Sequence, residues 1–225
     1  MRLLNIQLRE RLQSGNRRKF VKAIVKGTAT FSLMSFLLGG YAKLAQSRPA
    51  SELRPPGAIT ENDFLGACVR CGLCVRDCPY DTLKLAPFGA STTPGTPYFV
   101  AKEIPCEMCE DIPCVVACPT GALDSLLDNI KDARMGLAVV TGTDTCVSMT
   151  GSAHCEACYL ACPVKDKAIS MILRQNNGNV TWEPIVDYNH CTGCGKCEKD
   201  CVVPDAAIKV LPLDVIKRKV DYDYL

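Results

Sequence analysis

The chain has 225 residues, room for one compact domain or two small ones. Its hydrophobic fraction is 48%, but sixteen of those residues are cysteine and only one is Trp, so the apolar core must be thin. The net charge of +2 conceals a split: residues 1–47 carry nine Lys/Arg and one acid, while the remainder is net acidic, which argues against nucleic acid as a partner.

Residues 1–26 are basic and polar, and an apolar run from Ala29 to Ala42 follows through Phe31, Leu33, Met34, Phe36, Leu37 and Leu38. This is the layout of a secretory signal. Within it, Asn16-Arg17-Arg18-Lys19-Phe20-Val21-Lys22 matches a twin-arginine export signal, and a basic surface helix is the plainer alternative. The sixteen residues between Lys26 and Lys43 fall short of the ~20 needed for a comfortable membrane span. Cleavage near Ala45-Gln46-Ser47 and retention as an anchor both remain open. Residues 1–47 are therefore expected to be a signal or N-terminal anchor. Residues 48–66 are expected to be a linker and lead-in, extended around Pro49, Pro55 and Pro56, with a short helix from Glu61 to Ala67.

Next comes Cys68-Val69-Arg70-Cys71-Gly72-Leu73-Cys74-Val75-Arg76-Asp77-Cys78-Pro79. The C-x2-C-x2-C-x3-C-P spacing suits a cubane iron–sulfur cluster, with the fourth cysteine free to serve a neighbouring cluster. Three more sets follow: Cys106, Cys109, Cys114 and Cys118; Cys146, Cys155, Cys158 and Cys162; and Cys191, Cys194, Cys197 and Cys201. None is left over, and the gaps between sets are 28, 28 and 29 positions. A disulfide scaffold needs no such triplets. Structural zinc has use for two C-x2-C pairs but not for the third and fourth cysteines of each run. The arithmetic gives four [4Fe–4S] clusters. These must also staple the fold, so the apoprotein is expected to be poorly folded.

The sets are not identical. The second is spaced C-x2-C-x4-C-x3-C, with Pro113 in the extra stretch. The third opens with eight residues between Cys146 and Cys155, which sets Cys146 apart, although a longer loop closes at modest entropic cost. The fourth lacks a proline directly after Cys201. Gly72, Gly193 and Gly195 lie between cysteines, where they could admit positive φ and close approach to a cluster, or be ordinary turn glycines. His154 and His190 each adjoin a cysteine and could tune a cluster by hydrogen bonding, or be simply exposed. Met108, Met149 and Met171 read as packing residues.

Short strand patterns separate the sets: Thr82 to Leu85, Tyr98 to Val100, Gly136 to Val140, Ala168 to Ile172, Val180 to Val186 and Ala207 to Val210. Asn176-Asn177-Gly178 is a hairpin turn signal. Residues 67–213 are thus expected to be an α+β, ferredoxin-like domain of two pseudo-repeated two-cluster units, with 214–225 as a tail. No nucleotide loop, haem motif or nucleophile–base pair is visible. The pattern describes a wire of one-electron centres, with other proteins as donor and acceptor.

Several stretches carry a family resemblance. They are Arg54-Pro55-Pro56-Gly57-Ala58-Ile59, Ala67 to Gly72, Cys78 to Leu85, Gly95 to Ala101, Ile104 to Cys114, Asp132 to Val139 and Cys191 to Lys199. Together they resemble the NapG/MauM family of ferredoxin-type proteins over nearly all of residues 16–213, including the lengthened third set. The resemblance implies a periplasmic four-cluster protein exported by the twin-arginine translocase. It would be held at the cytoplasmic membrane by a quinol-oxidising NapH-like partner or by its own N-terminus, and would pass electrons through a cytochrome to nitrate reductase. A methylamine pathway, a formate dehydrogenase or hydrogenase complex, and a zinc adaptor are the alternatives. Related four-cluster subunits further imply that the first and fourth sets share a unit, Cys68, Cys71 and Cys74 with Cys201, and Cys191, Cys194 and Cys197 with Cys78. The same exchange would join the second and third sets. First-with-second and third-with-fourth is the rival, and the near-equal linkers do not decide between them.

Overall fold

The computed structural model describes residues 52–216, except Ser91 and 177–178. The twin-arginine segment and most of the tail lie outside the described residues. The described elements are α1 (Glu61–Ala67), α2 (Leu73–Arg76), β1 (Lys84–Leu85), β2 (Pro97–Tyr98), α3 (Pro113–Val116), β3 (Leu137–Val140), α4 (Ala157–Leu160), β4 (Ile169–Asn176), β5 (Asn179–Val186), α5 (Lys196–Lys199) and β6 (Ile208–Leu211). A 3₁₀ turn, Ile130–Asp132, lies between the second and third cysteine sets, its Lys131 N–H donating to the Asn129 side chain.

Strand pairing shows a motif built twice. In the first half, β1 and β2 form an antiparallel hairpin after the first set. The lead-in at Ala58 pairs with Leu123, just after the second set. In the second half, β4 and β5 form the hairpin after the third set, in register from Ile169↔Val186 to Asn176↔Asn179. The lead-in strand β3 pairs antiparallel with the closing strand β6, Leu137↔Leu211 to Val140↔Ile208. Asn176↔Asn179 leaves a two-residue connection, as the Asn-Asn-Gly sequence predicts, although that connection itself lies outside the described residues. Each half therefore reads lead-in, set, hairpin, set, closing strand.

The four one-turn helices share one task. α2, α3, α4 and α5 carry Cys74, Cys114, Cys158 and Cys197, the third cysteine of each set. Each helix stops within two residues of the fourth cysteine, so that residue leaves on a new heading. Such short helices have little stability of their own. They depend on packing around them.

The stretch expected to be an extended connector is instead part of the core. Leu53 and Arg54 are buried, Pro55 is fully so, and Leu53 exchanges backbone hydrogen bonds with Phe99 (3.2 and 2.9 Å). Phe64 of α1 and Phe99 are both at 0% exposure and belong, with Leu83, Ile112, Val115, Leu123 and Ile130, to the buried core. Burial of each phenylalanine is worth roughly 1.5–3 kcal/mol. The composition of 48–57 is polar and proline-rich, but Leu53 and Arg54 both point inward.

Arg54 is the tie. Its guanidinium makes a two-pronged contact with Glu61 (2.9 and 2.5 Å), donates to Thr96 Oγ1 (2.8 Å), the Pro97 carbonyl (2.9 Å) and Thr92 Oγ1 (2.8 Å), and stacks 4.9 Å over the Phe64 ring. Lead-in, α1 and the β1–β2 loop are thus joined through one planar cation. Arg54→Met would leave the Glu61 carboxylate half-buried without its partner, at a cost of about 3 kcal/mol. The expected result is bleaching of cluster absorbance at a lower temperature than in the unaltered protein; an unchanged bleaching temperature would show that the tie contributes nothing.

Candidate metal centres

The sixteen cysteines surround four cavities of about 340 to 430 Å³. Cys68, Cys71 and Cys74 line one together with Cys118. Cys106, Cys109 and Cys114 line the next with Cys78. Cys146, Cys155 and Cys158 line a third with Cys201. Cys191, Cys194 and Cys197 line the fourth with Cys162. The exchange of fourth cysteines is thus between the first and second sets and between the third and fourth. This corrects the expected first-with-fourth and second-with-third arrangement. The physical reason is the strand pairing: each lead-in pairs with its own closing strand, which folds the two sets flanking one hairpin against each other.

Cys146 joins its cavity despite the long loop before Cys155. The loop is held by Cys146 N–H donating to Gly142 O (2.9 Å), by Thr150 N–H donating back to Cys146 O (2.9 Å), and by buried Ser148, whose Oγ donates to Trp182 O of β5 (2.8 Å). His154 and His190 face carboxylates, Glu156 at 3.1 Å and Asp187 at 3.0 Å, and both are exposed. Met108 packs as expected, its sulfur accepting from Thr192 Oγ1 at 3.6 Å.

Local backbone geometry repeats from set to set. The residue before the second cysteine has positive φ in three sets: Arg70 (58°), Met108 (62°) and Gly193 (74°). The residue just before the following helix does so again: Gly72 (75°), Ile112 (41°) and Gly195 (92°). Left-handed residues amid right-handed ones turn successive N–H groups to one side, a concavity suited to an anion. An isoleucine at φ 41° is strained, and such strain persists only where the surroundings impose it; Ile112 is buried in the core. Arg70, Met108 and Ile112 give no sequence signal for this conformation, because only glycine advertises it. Gly193 has a second reason to be glycine. A Cβ there would lie 2.3 Å from the Gly136 backbone nitrogen, so no side chain fits where set four meets the start of the β3 segment.

Burial dominates the chemistry of the thiols. It pushes Cys74, Cys158 and Cys162 up to about 11, and Cys106 and Cys114 up to about 12, with Cys194 and Cys197 also raised. Neighbouring thiolates add to this: Cys118 acts on Cys74, Cys78 on Cys106 and Cys114, and Cys191 on Cys162, each across the shared cavity. Cys118 goes the other way. Burial raises it, but backbone donors at Thr120, Leu123 and Ala122 outweigh that and lower it. Several desolvated thiolates in one small cavity are tolerable only around compensating metal charge. Among the described residues, no three Cys, His, Asp or Glu side chains converge closely enough for one metal ion. The sulfurs stand around a volume and not a point, which suits a cube better than zinc. Ala138 N–H and Ala207 N–H donate to the sulfurs of Cys191 (3.5 Å) and Cys201 (3.4 Å), the kind of contact that tunes such a centre.

The cavities follow one another in a line. α2 carries Cys74 of the first and leads to Cys78 of the second, Cys106 N–H of the second donates to Cys194 O of the fourth, and α5 carries Cys197 of the fourth and leads to Cys201 of the third. The order is Cys71 cavity, Cys106 cavity, Cys194 cavity, Cys146 cavity. Burial agrees: Cys114, Cys191, Cys194 and Cys197, all in the middle two, are buried, whereas Cys71 at one end is exposed. At the central joint, Cys106 N–H donates to Cys194 O at 2.8 Å. Lys102 Nζ donates to carbonyls at the C-terminal end of α5 and just past it, Glu198 (3.2 Å) and Cys201 (3.1 Å). Lys196 pairs with Glu107. Burial pulls the Lys196 ammonium toward neutrality, but Glu107 first, then the thiolates of Cys194 and Cys106, more than restore it, so it is a cation.

Comparison with known proteins matches the first two sets to a single two-cluster domain. A 4Fe-4S dicluster domain matches residues 67–122, the span of the first two sets, and a 4Fe-4S binding domain matches residues 188–202. The ferredoxin-type protein NapG of Escherichia coli is 48% identical over 211 residues, 92% of this chain and 90% of the relative. The methylamine utilization ferredoxin-type protein MauM of Methylorubrum extorquens is also 48% identical, over 203 residues, 90% of this chain and 92% of the relative. MauM of Paracoccus denitrificans is 46% identical over 204 residues.

The exchange of fourth cysteines is testable by paired substitution. Cys78→Ala with Cys106→Ala removes two ligands of one cavity and should cost about four irons per chain, whereas Cys78→Ala with Cys68→Ala should cost about eight. Iron analysis of the anaerobically purified variants distinguishes them; the reverse order, about eight irons lost from the first pair and about four from the second, is what sets without exchange would give and would contradict the arrangement.

Proposed function

The chain belongs to the NapG/MauM family of ferredoxin-type iron–sulfur proteins, electron carriers with no catalytic site of their own, and on that premise we propose that it relays electrons from a membrane quinol dehydrogenase toward periplasmic nitrate reductase. The observation that carries the relay is the line of four cavities, each ringed by four cysteines. Four [4Fe–4S] clusters would occupy them, and a bound cubane accepts and returns one electron at a time. The chain supplies the thiolates, the water-poor walls, the N–H donors to sulfur and the spacing between centres. The exposed Cys71 end and the Cys146 end are where partners would exchange electrons.

The donor in this reading is a NapH-like membrane protein that oxidises menaquinol or ubiquinol, and the acceptor is a periplasmic cytochrome that feeds nitrate reductase. Asn16 to Lys22 supports delivery by the twin-arginine translocase, which carries folded cargo such as a preloaded cluster protein. Among the described residues no helix is long and apolar enough to cross a membrane, so attachment there would rest on the partner or on the N-terminal segment. A second reading has its own support. MauM relatives are as similar as NapG relatives, so service in methylamine utilisation is the competing assignment.

The test uses loaded protein under anaerobic conditions. Quinol should bleach its visible absorbance only when membranes carrying the NapH-like partner are present. Adding the cytochrome, nitrate reductase and nitrate should then restore the colour. Failure of the partner to mediate reduction would overturn the quinol-dehydrogenase assignment. Reduction without reoxidation by the nitrate system, but with exchange toward proteins of methylamine oxidation, would transfer it to the second reading.

A further inference from the structure

The two halves meet at one place where a cavity of each is close to a cavity of the other. Cys106 belongs to the first half and Cys194 to the second, and the Cys106 N–H donates to the Cys194 carbonyl at 2.8 Å. The residue after Cys106 is Glu107. Two residues after Cys194 is Lys196. These two form an ion pair across the joint, with side chains 34% and 24% exposed. Lys196 opens α5 and follows Gly195, whose φ of 92° admits no side chain without strain; a Cβ there would lie 2.6 Å from Ala101 Cβ. That close approach sets Lys196 over the joint. The other lysines of the interface are otherwise engaged: Lys102 on carbonyls at the C-terminal end of α5 and just past it, and Lys199 on Glu103 O at 2.7 Å.

We infer that electrons cross between the halves at this joint, from the Cys106 cavity to the Cys194 cavity or back, and that the Lys196–Glu107 pair sets the potentials on its two sides. This rests on the proposal of four clusters. One electron leaves one centre and enters the next; no bond is made and no proton moves. An ammonium beside two cysteine-bound centres favours whichever holds the extra electron. It also offsets the repulsion between two anionic centres brought close together. The partly buried setting makes such a charge count for more than it would at the surface. Glu107 acts with the opposite sign and keeps the pair from overstabilising the reduced state. Lys196 touches no substrate and is a tuning residue, not a catalytic one.

The experiment is a potentiometric titration followed by EPR on anaerobically purified full-length protein, with iron and acid-labile sulfide measured on the same samples. Lys196→Met should shift two of the four reduction steps to lower potential and leave the other two in place. Glu107→Gln should shift the same two upward. Lys196→Arg, which keeps the charge, should leave all four near their original positions. A purely structural pair would not give opposite signs for its two members. If Lys196→Met fails to keep its iron, the Glu107→Gln and Lys196→Arg titrations still decide. Unchanged potentials in fully loaded variants, or shifts of one sign for both Lys196→Met and Glu107→Gln, would overturn the inference. A wild-type protein without sulfide would instead overturn the cluster reading on which it stands.

Discussion

Each one-turn helix delivers two cysteines to two different cavities, and everything else in the structure serves that division. α2 holds Cys74 in the first cavity and releases Cys78 into the second; α3 holds Cys114 in the second and returns Cys118 to the first. α4 and α5 do the same with Cys158, Cys162, Cys197 and Cys201. Two sets that exchange their last cysteines cannot move independently. The hairpin between them, and the pairing of lead-in with closing strand, are the backbone means of holding them face to face. Thiols pushed up by burial to about 11 or 12 show the cost of that arrangement without metal.

Polar contacts join the two halves at several points. Lys102 caps carbonyls of the other half, Lys199 reaches Glu103 O, and Lys196 pairs with Glu107. The backbone contact of Cys106 N–H with Cys194 O completes the joint, and a Cβ at Gly195 would lie 2.6 Å from that of Ala101. A joint this tight keeps the second and fourth cysteine sets in fixed relation, which a relay requires and a pair of independent ferredoxins would not. Burial differs along the line: Cys114, Cys191, Cys194 and Cys197 of the middle cavities are buried, and Cys71 at one end is exposed. That difference matches a conduit with exchange at its ends.

Much of this was legible in the residues. The spacing of Cys68 to Cys78 announces a cubane site, the count of sixteen leaves none spare, and Asn176 to Gly178 marks a hairpin that the Asn176↔Asn179 register bears out. The grouping of sets was not legible, because near-equal linkers carry no information about which strands pair, and the analogy with other four-cluster subunits pointed the wrong way. Strand pairing is a long-range choice, made here by Leu137 to Val140 meeting Ile208 to Leu211. The connector was misjudged for a local reason. A polar, proline-rich composition conceals that Leu53 and Arg54 both turn inward, and a single buried arginine leaves no periodic trace. The left-handed positions at Arg70, Met108 and Ile112 were invisible because their side chains do not prefer that conformation. The helical lead at Glu61–Ala67, by contrast, lies where the sequence places it.

The most direct test of the account is iron and acid-labile sulfide per chain on anaerobically purified protein, read with its visible spectrum. Four cavities with four cysteines each predict about sixteen of each, with broad brown absorbance. About twelve of each would leave one cavity without a cluster and break the line. Zinc without sulfide, in a colourless protein, would contradict the relay altogether.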